Sequence, residues 1–121
     1  MYELRIQREF CAAHSIMMCG VREPTHGHNW RVTVSIVADE LDSDGLVCDF
    51  HTIEQQLDAI LAPFQNANLN ETPPFDAENP TAELVSRHIA QSLSGVMPDE
   101  ARVRSVGVTE APGCEAVYWA D

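Results

Sequence analysis

Three histidines in the N-terminal part of the chain have the type and spacing of metal ligands: His14, His26 and His28. His26 and His28 are two positions apart, so in an extended backbone their side chains point to the same side. The intervening Gly27 lets the backbone distort without a side-chain clash. An antiparallel return of the chain would bring His14, at the end of a predicted strand, close to the other two.

Three neutral imidazoles with an open fourth position form the ligand set of a catalytic zinc ion. Such an ion polarises a substrate oxygen or acidifies a nearby C–H bond. Spacing alone is equally compatible with three unrelated surface or capping histidines. The two remaining histidines, His51 and His88, lie on predicted helices, and we expect structural or exposed roles for both.

Three further side chains are candidates for chemistry near this cluster. Cys19 and Glu23 both precede His26, and either is a suitable base if it lies beside the metal. The alternatives are a buried thiol for Cys19 and a solvated loop carboxylate for Glu23. Glu110 ends a predicted strand, where its carboxylate would either accept two N–H groups from a guanidine-like ring edge or remain an exposed strand-end acid.

The strands that must position these residues are predicted from alternating apolar and polar side chains. The pattern covers residues 2–7, where the strand runs on toward His14, and residues 31–36, 103–110 and 115–119. Residues 42–45 have the composition of a turn, and we expect residues 46–48 to return briefly to the sheet.

Helical spacing of apolar residues predicts two helices between the second and third of these strands. The first covers residues 50–61 and is stopped by Pro63. The second starts at Asn79-Pro80, with the asparagine as cap and the proline in the first turn, and it ends near Gly95.

Four antiparallel strands with both helices inserted in the middle predict a single α+β domain over residues 1–121. Its helices should cover one face of a four-stranded antiparallel sheet. The open edges of so small a sheet must be covered, charged or paired with another subunit.

Composition and charge exclude several classes of function. The formal net charge of the 121-residue chain is −12, from 19 acidic residues and seven basic residues that are all arginine. A binder of nucleic acid or of an anionic membrane needs a basic stripe, and the sequence has none. No apolar run approaches the roughly 20 residues that span a bilayer, and no signal-peptide pattern is visible. The four cysteines form no Cys-x-x-Cys pair, so we expect a cytoplasmic protein with free thiols, most of them buried.

Five motifs occur in order along essentially the whole chain: Phe-Cys-Ala-Ala-His at 10–14, His-Gly-His-Asn-Trp at 26–30, Gly-x-x-x-Asp-Phe at 45–50, Asn-Pro-Thr-x-Glu at 79–83, and the strand-ending Glu110. This ordered set resembles the 6-pyruvoyl-tetrahydropterin synthase and 6-carboxytetrahydropterin synthase family. The resemblance implies the tunnelling fold, or T-fold, with its ββααββ order. It also implies that subunits join their sheets into a barrel, as a trimer stacked into a hexamer, with the site between subunits.

The resemblance further implies roles for individual residues. Zinc would be bound by the three clustered histidines. Glu110 would hold the amino-pyrimidine edge of a pterin, with Thr81 and Glu83 contributing. The usual substrate of the family, 7,8-dihydroneopterin triphosphate, is altered at its side chain.

The sequence departs from the family pattern at the catalytic cysteine. Family enzymes place this cysteine shortly before His-x-His, and Cys19 fits neither of the two family spacings. Glu23 instead fits a Glu-x-x-His-Gly-His pattern. This resembles a branch in which glutamate replaces the cysteine and the side chain is cleaved to 6-hydroxymethyl-7,8-dihydropterin, a folate precursor. A carboxylate base beside a metal suits such a retro-aldol cleavage.

A second departure lies in the loop after the first helix, where Gln65 and Asn66 stand in place of the family's Asp-His pair. Amides hydrogen bond but do not shuttle a proton near pH 7, and losing a general acid–base partner typically costs ~10²–10⁴ in rate. Three hypotheses therefore stay open: a zinc-dependent pterin lyase, a protein that binds a pterin or purine ring without turnover, and a metal-assisted hydrolase of another heterocycle.

Overall fold

The protein is built around a five-stranded sheet. The computed structural model describes residues 1–98 and 100–120. The strands within these residues are β1 (Tyr2–His14), β2 (Met17–Met18), β3 (Val21–Arg22), β4 (His26–Ala38), β5 (Ala67–Asn68), β6 (Arg102–Ala111) and β7 (Cys114–Trp119). The α-helices are α1 (Phe50–Leu61) and α2 (Ala82–Ser94), and short 3-10 helices cover Ala62–Phe64 and Leu69–Glu71. In this part of the chain, no helix is long and apolar enough to cross a membrane.

The strand order in the sheet is β5-β1-β4-β6-β7, and β2 pairs with β3 in a separate hairpin. β1 and β4 are antiparallel and stay in register from Tyr2↔Ala38 to His14↔His26. The four predicted strands and the ββααββ order are confirmed. The sheet has one strand more than the four predicted antiparallel strands, because the short β5 lies beside β1 and parallel to it.

Local hydrogen bonds explain two differences from the predicted strands. The Asn66 N–H donates to the Cys11 carbonyl (2.6 Å) and the Cys11 N–H donates to Gln65 Oε1 (3.1 Å), so this loop is held against β1. Residues 46–48 form no strand, because the Leu46 N–H donates to the Asp42 carboxylate and the Leu46 carbonyl accepts from the Asp42 N–H. These bonds close the predicted turn, in which Gly45 has a φ of 79°.

The core lies between the sheet and the two helices. Alternate residues of β4 are completely buried on this face, and Trp30 stacks on Phe10 with ring centroids 5.7 Å apart. The helices contribute the buried side chains of Ile53, Leu57 and Leu61 from α1 and of Val85, Ile89 and Leu93 from α2. Burial of each such side chain contributes about 1.5–3 kcal/mol, so the match between strand and helix periodicity fixes the fold.

The expectation that most of the cysteines are buried is wrong. Only Cys48 is buried, while Cys11, Cys19 and Cys114 are exposed, and all four thiols are free. Burial raises the pKa of the Cys48 thiol, and the neighbouring Asp49 and Asp42 carboxylates raise it further. The odd positions of β1, such as Cys11, face the side of the sheet that carries no helix.

The start of α2 differs from the sequence prediction. Thr81, and not Asn79, is the cap: the Thr81 hydroxyl accepts from the Leu84 N–H (3.1 Å). The Asn79 amide is engaged elsewhere, because it bonds both the N–H (2.8 Å) and the carbonyl (2.9 Å) of Met17. The tertiary contact therefore displaces the cap by two residues, and Pro80 lies before the helix.

Replacing Thr81 with alanine should lower the free energy of unfolding by about 1 kcal/mol, because the orphan N–H groups of the first turn of α2 lose their side-chain acceptor. Chemical denaturation of the two proteins measures this difference. The matched control is Thr81→Ser, which keeps the hydroxyl and should stay close to the parent. Equal stability of the alanine variant and the parent would show that the cap does not stabilise α2.

Candidate metal centre

Four side chains converge at one end of the sheet: His14, His26, His28 and Glu110. One donor atom from each lies within 4.8 Å of the others, so the group can hold a metal ion. The β1–β4 register pairs His14 with His26 and places His28 opposite Ala12. Because side chains alternate across a strand, the three histidines share the helix-bearing face with the buried residues of both strands.

Glu110 lies on the same face as the histidines because it continues the alternation of the buried Val108 along β6, and the sheet is irregular at this residue. Thr109 pairs with Glu115 and Ala111 with Cys114, so Glu110 is an extra residue with no partner on β7. Bulges of this kind re-aim side chains and are frequent beside active sites. Glu110 Oε1 lies 3.1 Å from His28 Nε2, 3.3 Å from His14 Nε2 and 3.9 Å from His26 Nε2.

Backbone carbonyls fix the orientation of two of the imidazoles. His14 Nδ1 lies 2.8 Å from the Pro80 carbonyl, and His26 Nδ1 lies 3.0 Å from the Pro24 carbonyl. A carbonyl only accepts, so each Nδ1 carries the hydrogen and each neutral ring keeps a lone pair on Nε2. These two Nε2 atoms are 3.2 Å apart, and two facing lone pairs at that distance require a cation or a proton between them.

The third imidazole is also prepared to act as a ligand. His28 Nε2 is buried and has no hydrogen-bond partner among the described residues, because the nearby Glu110 Oε1 is not in hydrogen-bonding geometry. Burial lowers the pKa of His28, and the Glu110 carboxylate partly opposes that shift. A buried nitrogen without a partner is costly, and a metal ion satisfies it. The residues therefore fit a metal.

A tryptophan packs against the histidines on the side of the core. The Trp30 ring meets His14 edge-on at 4.7 Å and His28 at 5.8 Å between centroids. Its indole N–H donates to the Ala12 carbonyl (3.1 Å). The ring is fully buried, so it fixes the two imidazoles against the core.

Glu23 lies at the edge of the metal-binding group. Its Oε1 is 3.7 Å from His26 Nε2 and accepts from the Ile16 N–H (3.1 Å). The Glu23 backbone is also anchored, because its N–H donates to the Ile16 carbonyl (3.1 Å) and its carbonyl accepts from the Ser15 hydroxyl (2.6 Å). The structure thus brings one of the two predicted bases to the metal ligands and holds it there.

Cys19, the other predicted base, is not brought into the group. It occupies the exposed turn between β2 and β3, where Cys19 has a φ of 52° and Gly20 a φ of 78°. Positive φ at both central residues is typical of a type I′ hairpin turn.

The predicted pterin-contacting residues of α2 lie outside the four-residue group. Thr81 caps the helix, and Glu83 is exposed in its first turn. Their contacts with a substrate remain predictions.

Sequence reasoning missed two asparagines that position the site. The Asn70 amide bonds both the N–H (2.8 Å) and the carbonyl (2.9 Å) of Ser15, the residue after His14. Asn79 does the same for Met17. The only signal in the sequence was the Asn-Pro step at 79–80, which we assigned to a helix cap.

A cleft of about 460 Å³ adjoins the metal-binding group. It opens where the β4–β6 pairing ends at Arg31↔Thr109, so that the first residues of β4 extend past β6. Its wall includes His28 and Glu110. The volume lies in the range of small-molecule sites, roughly 300–1,000 Å³. Because His28 and Glu110 form part of the wall, a ligand in this cleft would contact the metal-binding group directly.

Comparison with known proteins agrees with this architecture. A family model described as 6-pyruvoyl tetrahydropterin synthase matches residues 3–121. The chain is 33% identical over 102 residues to a putative 6-carboxy-5,6,7,8-tetrahydropterin synthase of Archaeoglobus fulgidus, with 82% of each chain covered. It is 25% identical over 126 residues to the 6-carboxy-5,6,7,8-tetrahydropterin synthase of Bacillus subtilis, which covers 97% of this chain and 84% of the relative.

Solved structures share the fold at lower identity. The 6-pyruvoyl tetrahydropterin synthase of Caenorhabditis elegans superposes with a TM-score of 0.84 at 20% identity, covering 100% of this chain and 98% of that one. A Plasmodium vivax 6-pyruvoyltetrahydropterin synthase, in which a catalytic glutamate is replaced by alanine, gives 0.79 at 19% identity, with 97% and 96% covered. The fold is the T-fold, and this chain belongs to the 6-pyruvoyl tetrahydropterin synthase family of pterin-metabolism enzymes.

Proposed function

We propose that this chain is a zinc-dependent lyase that cleaves the side chain of a dihydropterin such as 7,8-dihydroneopterin triphosphate, toward 6-hydroxymethyl-dihydropterin or a related product. One observation carries the proposal: a carboxylate, Glu23, is held 3.7 Å from an imidazole of the metal-binding group. A donor set of three histidines favours zinc. When bound, zinc supplies a Lewis acid that polarises a substrate oxygen.

Glu23 is the general base in this proposal. Its carboxylate accepts the proton of a side-chain hydroxyl, and that oxygen becomes a carbonyl as the adjacent carbon–carbon bond breaks. The electron pair moves into the conjugated dihydropterin ring, and the proton is returned to the carbon that stays on the ring. The anchoring hydrogen bonds to Ser15 and Ile16 keep the base in place, as general-base catalysis requires. The catalytic glutamate of the Plasmodium vivax synthase supports a carboxylate in such a role.

Glu110 is the residue that we assign to the pterin ring. It lines the cleft beside His28, and a carboxylate pairs with two N–H groups of an amino-pyrimidine edge. Arg31 lies in the same wall and is a candidate for binding a substrate phosphate. It is engaged with Glu9 at 3.2 Å, so phosphate binding would have to compete with that ion pair.

The proposal includes assembly into a cytoplasmic homo-oligomer, a trimer or hexamer. β7 is an edge strand of the sheet, and its Val117 and Trp119 side chains are 41% and 56% exposed. An exposed apolar edge strand is prone to pair with another chain. Pairing of sheets between copies would cover this edge and would place the site between subunits.

A second candidate function, binding of a pterin or purine ring without turnover, is favoured by Gln65 and Asn66. In this chain the two residues hold β5 against β1. Their amides do not exchange protons near neutral pH.

Metal analysis tests the zinc assignment. The purified chain should hold about one zinc ion, and His26→Ala should lose most of it because one of three imidazole ligands is removed. Zinc at a hundred times its dissociation constant should stabilise the parent by about 2.7 kcal/mol. His51→Ala is the matched control, since the His51 side chain is exposed on α1 and contacts only Glu54 among the polar groups of the described residues. Equal zinc content in the parent and in the His26 variant would contradict the assignment.

Turnover tests the base. With zinc-loaded protein and 7,8-dihydroneopterin triphosphate, Glu23→Gln should reduce the rate about 10²–10⁴-fold while zinc content stays unchanged. Chromatography with mass detection follows the cleaved pterin and the released aldehyde. Cys19→Ala should keep full activity, because that thiol lies outside the group. The reverse pattern would identify Cys19 as the base, and tight binding of every dihydropterin without turnover would reject the lyase.

Restoring the family's pair separates the two candidate functions. The double variant Gln65→Asp, Asn66→His should gain little if the chain already turns over its own substrate with Glu23. A gain of 10² or more in family activity would instead indicate a chain that has lost catalysis. The φ of 58° at position 66 is one that histidine tolerates better than most residues, so the variant should fold, and circular dichroism checks this.

A further inference from the structure

We propose that Glu110 is the fourth ligand of the metal ion while the cleft is empty, and that a bound pterin withdraws it. The second half of this inference, the withdrawal of Glu110 by a pterin, rests on the proposed function. The first half follows from the geometry of the four donors in this chain.

The separations between the donors match a closed four-coordinate site. Ligand atoms at about 2.0–2.1 Å in a tetrahedron lie about 3.3–3.4 Å from one another. His14 Nε2 is 3.2 Å from His26 Nε2. Glu110 Oε1 is 3.3 Å from His14 Nε2 and 3.1 Å from His28 Nε2. Of the six separations among the four donors, these three thus lie within about 0.3 Å of the tetrahedral value. The separation from Glu110 Oε1 to His26 Nε2 is longer at 3.9 Å, and all six are within 4.8 Å.

The position of Glu110 in the fold also allows it to leave. As the extra residue of the β6–β7 bulge it has no cross-strand partner. Its side chain is 28% exposed, and it lines both the metal-binding group and the cleft. A bidentate contact with a ring edge uses both carboxylate oxygens. The ring therefore competes with the metal for the lone pairs of Oε1, and in this proposal ring binding draws the carboxylate away and opens the fourth position.

Cobalt-substituted protein and azide provide the test, because azide binds only to an accessible coordination position and changes the visible spectrum of the metal. Without a pterin, the parent should resist azide, and Glu110→Ala should bind it at least about tenfold more tightly. Glu110→Gln, which keeps the size of the side chain, should behave like the alanine variant. Asp44→Ala removes an exposed carboxylate from the turn before α1, which belongs neither to the cleft nor to the metal-binding group, and it should match the parent.

The second half is tested by adding 6-methylpterin, which has no side-chain oxygen to occupy the metal. It should strengthen azide binding to the parent about tenfold, a usual size for coupling between two ligands. Equal azide affinity of the parent and Glu110→Ala without pterin would show that Glu110 is not a ligand. Fluorescence titration shows separately whether 6-methylpterin binds. If 6-methylpterin binds and azide binding to the parent stays weak, the proposed withdrawal of Glu110 from the metal is wrong. If 6-methylpterin does not bind, the proposed pterin function fails, and the comparison of the parent with Glu110→Ala still decides whether Glu110 is a ligand.

Discussion

The register between β1 and β4 is the constraint on which the core and the site both depend. Thirteen consecutive pairs join the two strands, from Tyr2↔Ala38 to His14↔His26. A slip of one residue would turn every side chain of one strand to the opposite face. It would expose a set such as Val32, Val34 and Ile36, each worth about 1.5–3 kcal/mol when buried. The same slip would separate His14 from its two partner imidazoles, so hydrophobic burial fixes the ligand geometry.

The metal-binding group lowers the stability of the folded chain as long as no cation is bound. Two Nε2 lone pairs face each other at 3.2 Å, and a third buried Nε2 has no hydrogen-bond partner within residues 1–98 and 100–120. An unsatisfied buried polar atom costs about 1–3 kcal/mol. His14 and His26 cannot remove this repulsion by rotating their rings or changing tautomer, because the carbonyls of Pro80 and Pro24 each require an N–H at Nδ1. Local strain of this kind persists only where the surrounding packing enforces it, and here Trp30 and the strand register do so.

The features that follow from a local repeat could be predicted from the sequence, and those that depend on a distant partner could not. Alternation gave the long strands and put His26 and His28 on one face. The cap of α2 was missed because the Asn79 amide is taken by Met17, which no local pattern reveals. Glu110 continues the alternation of Val106 and Val108 along β6, so its place on the histidine face follows from the local repeat. The bulge that leaves it without a cross-strand partner depends on the pairing with β7, and no local pattern reveals it.

Separate supports for the metal and for the surrounding residues explain how family chemistry can change on one fold. Glu23 is positioned by hydrogen bonds to Ser15 and Ile16. These residues directly follow His14, so the position of the Glu23 carboxylate relative to the metal-binding group is fixed by the same segment of the chain. Gln65 and Asn66 are held through Cys11, and the Asn66 bond uses its backbone N–H. That bond does not depend on the side chain at position 66. The Gln65 bond, in contrast, uses the side-chain oxygen of Gln65. Of the two positions, position 66 is therefore the one at which the side chain can change while the bond to β1 stays the same.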